Sequence, residues 1–239
     1  MFFQINSFYQ IMSSLLEMKR NLVSFLTKFV TEQRIATFYK NVEKRTRYLT
    51  VVLEDIYQSH NASAVLRSCD AFGVQDIHIV ENKNRYQINP DVEMGTSKWL
   101  SLRRWKNTSS VIEHLKAQNY RIVATTPHTN DVELEEFDVS KGKIALLFGT
   151  EKEGLTQESL NAADEFLRIP MFGFVESLNI SVCAAVTLHH LMWKLRGSDV
   201  SFQISDEEKL DLVLAWLRAS IRNVDLVEKT FLTPTTSSS

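Results

Sequence analysis

The sequence predicts an α/β fold: a mostly parallel sheet with helices on both faces, and further helices at each end of the chain. Three observations carry that prediction. Short β-branched apolar runs recur along the middle of the chain, each too short for an ordinary helix. Segments with apolar residues at helical spacing lie between them. Gly, Pro, Ser and Asn punctuate the junctions. Strands alternating with helices need crossover connections, which makes neighbouring strands parallel and covers both faces of the sheet.

The elements follow in order. Residues 8–47 read as helical, in one or two segments. "LTVVLED" (49–55) is a buried strand that ends in acids. Ser59 is placed to cap a helix through about Phe72, with Ala62, Val65, Leu66, Cys69 and Phe72 on its apolar stripe, and Gly73 ends it. "DIHIVE" (76–81) is the next strand. "SSVIEHLKAQN" (109–119) is an amphipathic helix and "YRIVATT" (120–126) a strand. "KIALLFGT" (143–150) is another buried strand, followed by a loop and the helix "QESLNAA"; "EFLRIP" (165–170) is the last strand. A long helix begins near Ser177 and runs to about Leu195. Residues 205–222 form a terminal amphipathic helix, and the "TPTTSSS" tail reads as disordered. The chain thus divides into a helical extension over 1–47, basic from about 18, a sheet domain over 48–196, and a terminal helix and tail over 197–239. Residues 197–204 are the candidate hinge.

Composition narrows the class. Hydrophobic residues are 44% and charged residues 23% of the 239, as in a packed globule. Net charge is −2, so the whole chain is no polycation. The two cysteines, Cys69 and Cys183, each lie in an apolar-periodic segment, which predicts buried thiols in place of a disulfide framework. No Cys/His cluster has zinc-ligand spacing, and the adjacent His189 and His190 point apart on a helix, so no metal is expected. No apolar run has transmembrane length and the start lacks a basic n-region; a cytoplasmic protein without membrane attachment is expected. Met18-Lys19-Arg20 offers an alternative start, which would make residues 1–17 an upstream extension. In a cytoplasmic protein the N-x-S triplets at Asn61, Asn107 and Asn179 are not sugar acceptors, and each asparagine needs another role.

The charge is unevenly placed. Residues 18–47 hold eight Lys/Arg against two Glu. A second cluster, "KNRYQ" and "KWLSLRRWK", mixes Lys83, Arg85, Lys98, Arg103, Arg104 and Lys106 with Tyr86, Trp99 and Trp105. Cations beside aromatics suit phosphate contact and base stacking. A solvated surface over core tryptophans would give the same pattern.

Three loops could carry chemistry. In "SHNASAVLRSCDAFG" a strand end delivers His60 and Asn61, and a second helical stripe adds Ser63, Arg67 and Asp70. The alternative is a capped helix with a surface Arg–Asp pair. In "LLFGTEKEGLTQE" the spacing of Gly149 and Gly154 resembles a phosphate-binding loop, but Leu155 stands where a lysine must reach the phosphates, and Glu151 and Glu153 would repel them. What remains is a Gly-bounded turn holding a carboxylate. In "IPMFGFVESLNISVCAA", Pro170, Gly173 and Ser177 suggest a rigid turn, a flexible position and a helix cap. Ile169, Met171 and Leu178 could form an apolar slot whose backbone groups need partners, as a purine edge would supply. A plain capped core helix is the alternative.

Asn61 with Ala64 and Arg67, then "LLFGTEKEGL", then "IPMFGFVESLNISVCAA", in this order and spacing, resemble the SPOUT class of methyltransferases and, within it, the TrmH family of RNA ribose 2′-O-methyltransferases. The resemblance covers about residues 31–195. "LTVVLEDIYQSHNASAVLRSCDAFGV" and "SLNISVCAA" look closest to its tRNA guanosine-2′-O-methyltransferase branch. The first 30 residues have no counterpart, and the segment from 205 matches only in character.

The resemblance implies a deep C-terminal trefoil knot, a homodimer with active sites near its interface, and S-adenosyl-L-methionine bound bent, largely by main chain. It places Thr125, Gly149, Gly154, Ile169, Met171 and Leu178 around the cofactor, and Arg67, Asn61, Glu151, Ser177 and Asn179 at the reaction. Arg45, Arg47, His60, Arg85, Arg103 and Arg104 would contact RNA. The expected substrate is tRNA. A 23S rRNA ribose methyltransferase is the nearest alternative, and a non-catalytic RNA-binding or ribosome-assembly factor is the alternative of another class. The expected roles are Arg67 clamping a phosphate, Asn61 orienting Arg67 or the ribose, and Glu151 holding Asn61 or Arg67 or passing on the proton. Ser177 and Asn179 would anchor the cofactor loop and the nucleotide.

Overall fold

Seven parallel strands form the sheet of the central unit, residues 45–203, in a computed structural model that describes residues 2–85, 95–127 and 131–233. Tyr86 and residues 234–239 of the tail lie outside the described residues. The strands are β1 (Leu49–Glu54), β2 (Asp76–Val80), β3 (Ser101–Trp105), β4 (Arg121–Thr125), β5 (Val132–Glu133), β6 (Ile144–Phe148) and β7 (Glu165–Arg168). Their spatial order is β3-β2-β1-β6-β4-β7-β5. The helices are α1 (Phe2–Leu26), α2 (Glu32–Val42), α3 (Ser59–Phe72), α4 (Thr108–Ala117), α5 (Gln157–Ala162), α6 (Ile180–Arg196), α7 (Asp206–Ser220) and α8 (Val224–Leu232).

Period-two alternation sorts the strand side chains into two cores. Leu49, Val51 and Leu53 of β1, with Ile144, Leu146 and Phe148 of β6, pack with Ala62, Val65, Leu66 and Cys69 of α3 and Ala184, Leu188, Leu191 and Leu195 of α6. Val52, Ala145 and Leu147 face the other way, with Val111, Ile112 and Leu115 of α4. Burial on both faces is why these strands read as continuous apolar runs.

Strand order reverses between β1 and β6. Strands β2 and β3 run outward on one side, β4, β7 and β5 on the other. The loops after β1 and β6 therefore diverge at the carboxyl edge of the sheet, where open α/β sheets place their ligands.

Several expectations need correction. Strand β3 falls inside "KWLSLRRWK", which shows no apolar run; it is an edge strand, and its Arg103 and Arg104 are exposed. Gln58, not Ser59, holds the N-cap position of α3, without a side-chain cap bond. Ser177 does not cap α6: the helix starts at Ile180, and Asn179 caps it by accepting from the Ser181 N–H at 2.9 Å. Asn107 does the same for α4, accepting from the Ser110 N–H at 2.9 Å. The boundary between the two compact units falls after Gln203, inside the candidate hinge 197–204; up to that point Phe202 is buried, its carbonyl accepts from Thr46 Oγ1, and Gln203 bridges Thr46.

The segments up to residue 44 and from 204 onward form one helical unit, not two separate additions. Its core joins Val23, Leu26, Phe38 and Val42 with Leu212, Val213, Trp216 and Leu217. The Phe38 and Trp216 ring centroids are 5.6 Å apart, and Lys19 pairs with Asp211 at 2.7 Å. Ser205 and Glu208 form a reciprocal capping box at the start of α7. Among the described residues no helix is long and apolar enough to cross a membrane.

Candidate active site

A cavity of about 360 Å³ opens at the carboxyl ends of β4, β6 and β7. Thr125, Gly149, Gly154, Ile169, Met171 and Leu178 all line it, with Ser177 beside them. One wall is the turn after β6. Thr150 and Gly154 exchange backbone hydrogen bonds of 2.9 and 3.0 Å, and the Glu153 N–H donates to Thr150 Oγ1 at 3.0 Å. Gly154 sits at φ +69°, a left-handed conformation that favours glycine. Gly149 is required for another reason: a Cβ there would lie 2.1 Å from the Gly154 carbonyl carbon. The other wall is the segment from Ile169 to Leu178. Phe148, Leu155, Leu167 and Ile180 make the interior apolar. Cys183 also lines the cavity, and burial pushes its thiol pKa up, which keeps it protonated and unreactive.

Beside this cavity the three loops meet on one amide. Asn61 Nδ2 donates to Glu151 Oε1 and, at 3.1 Å, to Gln58 Oε1. Asn61 Oδ1 accepts from Asn179 Nδ2 at 3.3 Å. These are residues 61, 151 and 179, so two of the three N-x-S asparagines belong to the site and Asn107 is a helix cap. Arg67 is exposed on α3. It lies six residues beyond Asn61, about 9 Å further along the axis and about 120° around it. The stripe expected with it changes character along the helix. Ser63 is fully buried, and Asp70 pairs with Arg45.

Glu54, the acid that ends β1, is 1% exposed and was not among the expected site residues. Its Oε1 accepts from Thr108 Oγ1, from Thr156 Oγ1 at 2.8 Å and from Ser159 Oγ at 2.8 Å; its Oε2 accepts from the Thr156 N–H at 2.9 Å. One carboxylate thus ties the strand to α4 and to the start of α5, fixing the far end of the Gly149–Thr156 turn. The sequence signal was present: a pair of acids closing a buried strand at the edge where ligands bind. Glu54→Ala would leave several buried donors without an acceptor and should lower stability by about 3 kcal/mol. Thermal unfolding measures this, and an unchanged midpoint would show that the tether carries no load.

The expected RNA-contact residues are scattered. Arg45 is 5% exposed and ion-paired with Asp70, so burial removes it from any RNA-facing surface. Arg47 donates from Nε to Asp76 at 3.1 Å and is about a quarter exposed. His60, Arg85, Arg103 and Arg104 are exposed. Arg103 Nη1 lies 2.8 Å from His114 Nε2, and Arg104 pairs with Glu81 at 3.1 Å. His78 lies beneath, accepting on Nδ1 from Trp105 Nε1 at 3.0 Å. Burial, with the charges of Arg103 and His114, pulls its pKa down to about 3, so its ring is neutral. Among the described residues no group of three or more His, Cys, Asp or Glu is placed to hold a metal ion.

The model of the SpoU rRNA methylase family matches residues 48–189. The chain belongs to the SpoU methylase family. Within this family the chain is 41% identical over 206 residues to the tRNA (guanosine(18)-2′-O)-methyltransferase of Borreliella burgdorferi, covering 86% of this chain and 94% of that one. The enzyme of the same name from Thermus thermophilus is 36% identical, over 79% of this chain and 97% of its own. A solved SpoU structure, the Aquifex aeolicus TrmH/SpoU tRNA modifying enzyme, superposes with a TM-score of 0.71 at 28% identity, covering 80% of this chain and 98% of that one. A 23S rRNA (guanosine-2′-O-)-methyltransferase of Shewanella oneidensis is also related, at 34% identity over 62% of this chain and 60% of that one. The SpoU match spans the sheet and most of α6, and so includes all three loops of the site.

Proposed function

We propose that this SpoU protein is an S-adenosyl-L-methionine-dependent RNA ribose 2′-O-methyltransferase, acting on a guanosine of tRNA. One observation carries the reading: Asn61, Glu151 and Asn179, from three separate loops, join beside a cavity of about 360 Å³ at the carboxyl ends of β4, β6 and β7. Near full-length similarity to enzymes named for tRNA guanosine(18) favours tRNA over rRNA.

The slot fits the cofactor on two grounds. Its interior is apolar, and Gly149 lets main chain close where any side chain would collide. Gly149, Gly154, Ile169, Met171 and Leu178 would hold the nucleoside, with Thr125 at its end. Thr125 Oγ1 already donates to the Leu147 carbonyl at 2.7 Å, so this residue offers shape more than a free donor. S-adenosyl-L-methionine, when bound, supplies an already activated methyl group on its sulfonium. The protein's own task is then to orient the hydroxyl, exclude water and manage its proton, and orientation alone can contribute about 7–11 kcal/mol. Asn61 has its donors and acceptor committed to neighbouring side chains, so it acts as a positioning residue for Glu151 and Asn179. Glu151, on the rim, takes the proton or passes it to solvent. A guanidinium stays protonated in proteins, so Arg67 serves as a bidentate clamp on the RNA phosphate that stabilises developing charge, not as the base. Ser177 stands at the cavity wall and Asn179 caps α6, fixing the second loop.

The same proposal includes the trefoil knot, a cytoplasmic location and a homodimer. Val182, Val186 and Trp193 are exposed along α6, and Phe172, Phe174 and Val175 in the preceding loop. Apolar surface of this kind suits a second copy of the chain. Sedimentation velocity should show a dimer at micromolar concentration; a monomer would remove this part.

Incubation with total RNA and radiolabelled S-adenosyl-L-methionine, followed by mapping of the labelled nucleotide, tests the function. Label on a tRNA guanosine 2′-oxygen is expected. Label confined to 23S rRNA would transfer the activity to the rRNA branch, and cofactor binding without any transfer would leave a non-catalytic RNA-binding factor.

A further inference from the structure

The turn that walls the cavity has a second side. A groove of about 560 Å³ lies against it, lined by Glu54, Asp55, Tyr57, Gln58, Lys83 and Asn84 and sharing residues 150–155 with the first cavity. Its volume is in the range of small-ligand sites. Two features show a built surface. Asp55 sits at φ +53°, an uncommon conformation for a residue with a side chain, and Asp55 Oδ1 accepts from the N–H groups of Lys83 at 2.8 Å and Asn84 at 3.2 Å. Asn84 Nδ2 donates back to the Asp55 carbonyl at 3.0 Å. The strand-end turn and the loop after β2 are therefore braced together. On this base Tyr57 stands 77% exposed, a large aromatic face with little protein cover.

We infer that this groove seats the base of the nucleotide to be methylated, stacked on Tyr57. The inference rests on the proposed methyltransferase function. Residues 150–155 would then be a partition with the methyl donor on one side and the acceptor base on the other, the ribose reaching the donor past Glu151, which lines both. The rim matches a guanine edge in charge. Lys83 Nζ and Glu153 Oε2 face each other at 3.7 Å, both largely exposed, so the pair is weak and opens at little cost. Guanine presents an acceptor at O6 beside donors at N1 and N2, which matches a cation beside a carboxylate. Adenine presents a donor and then an acceptor, the opposite order.

The test uses the full-length protein and tRNA transcripts with guanosine or adenosine at the methylated position. Tyr57→Ala should raise the KM for tRNA about tenfold, since stacking on one aromatic is lost. Its affinity for S-adenosyl-L-methionine in calorimetry should stay within about twofold of wild type, and Tyr57→Phe, which keeps the ring, should restore the KM. Lys83→Met and Glu153→Ala should each reduce the preference in kcat/KM for guanosine over adenosine about tenfold. An unchanged KM in Tyr57→Ala, or an unchanged preference in both rim variants, overturns the inference. Methyl transfer by the wild type with indifferent variants removes the groove alone. No transfer by the wild type to any RNA removes the underlying function and the groove with it.

Discussion

Arg67→Lys is expected to lower turnover about 100-fold or more while leaving affinity for S-adenosyl-L-methionine and the melting temperature close to wild type. The substitution keeps a positive charge on the exposed face of α3 and removes only the planar fork. A lysine can attract the RNA phosphate but cannot hold it at two points, so the ribose oxygen loses its fixed approach. Stability should be spared because Arg67 is exposed, unlike Leu66 and Cys69 on the same helix, which are fully buried. Single-turnover assays at saturating tRNA separate the two terms: a loss in rate with little change in KM marks an interaction made at the transition state. Wild-type turnover in Arg67→Lys would remove this residue from the mechanism, and the search for the group that meets the phosphate would move to His60 and Arg85.

What the sequence could reveal depended on the kind of signal. Strands β1 and β6 were legible because burial on both faces leaves an uninterrupted apolar run. Strand β3 was not, because an edge strand carries its charges outward and Arg103 and Arg104 break the pattern. The residues around the cavity came from family resemblance, since a slot made of main chain leaves little mark on side-chain pattern beyond its glycines. Local propensity misplaced the caps: Ser59 and Ser177 are good capping residues by type, yet Gln58 and Asn179 hold the positions. Asn179 wins where its side chain can serve twice, accepting from Ser181 and donating to Asn61. Arg45 illustrates the limit of reading charge along a chain. It belongs to a basic run, and only the fold shows Asp70 already beside it. Nor can a sequence show that Glu54 reaches Thr156 and Ser159 across about a hundred residues, which is a contact of tertiary structure alone.

Gly149→Ala should weaken cofactor binding about 100-fold or more, and its comparison with Gly154→Ala isolates the cause. The two glycines bound one turn but are required for different physical reasons. At Gly149 the backbone conformation is open to any residue, but an added Cβ would lie 2.1 to 2.3 Å from the backbone of Gly154 and Leu155. No side-chain rotation relieves that overlap, so the turn must separate from the strand end and the paired hydrogen bonds of Thr150 and Gly154 must break. At Gly154 the reverse holds: an added Cβ meets nothing within 4 Å, but φ is +69°. Alanine there costs only the left-handed conformation, about 1–2 kcal/mol, and should weaken binding no more than about tenfold. Gly149→Ala should weaken it about 100-fold or beyond, since overpacking against main chain both strains the turn and displaces the cavity wall. Calorimetric titration of both variants with S-adenosyl-L-methionine, alongside their melting temperatures, gives the ranking. A Gly149→Ala protein that binds as tightly as wild type would mean that the turn after β6 is not the wall against which the cofactor lies.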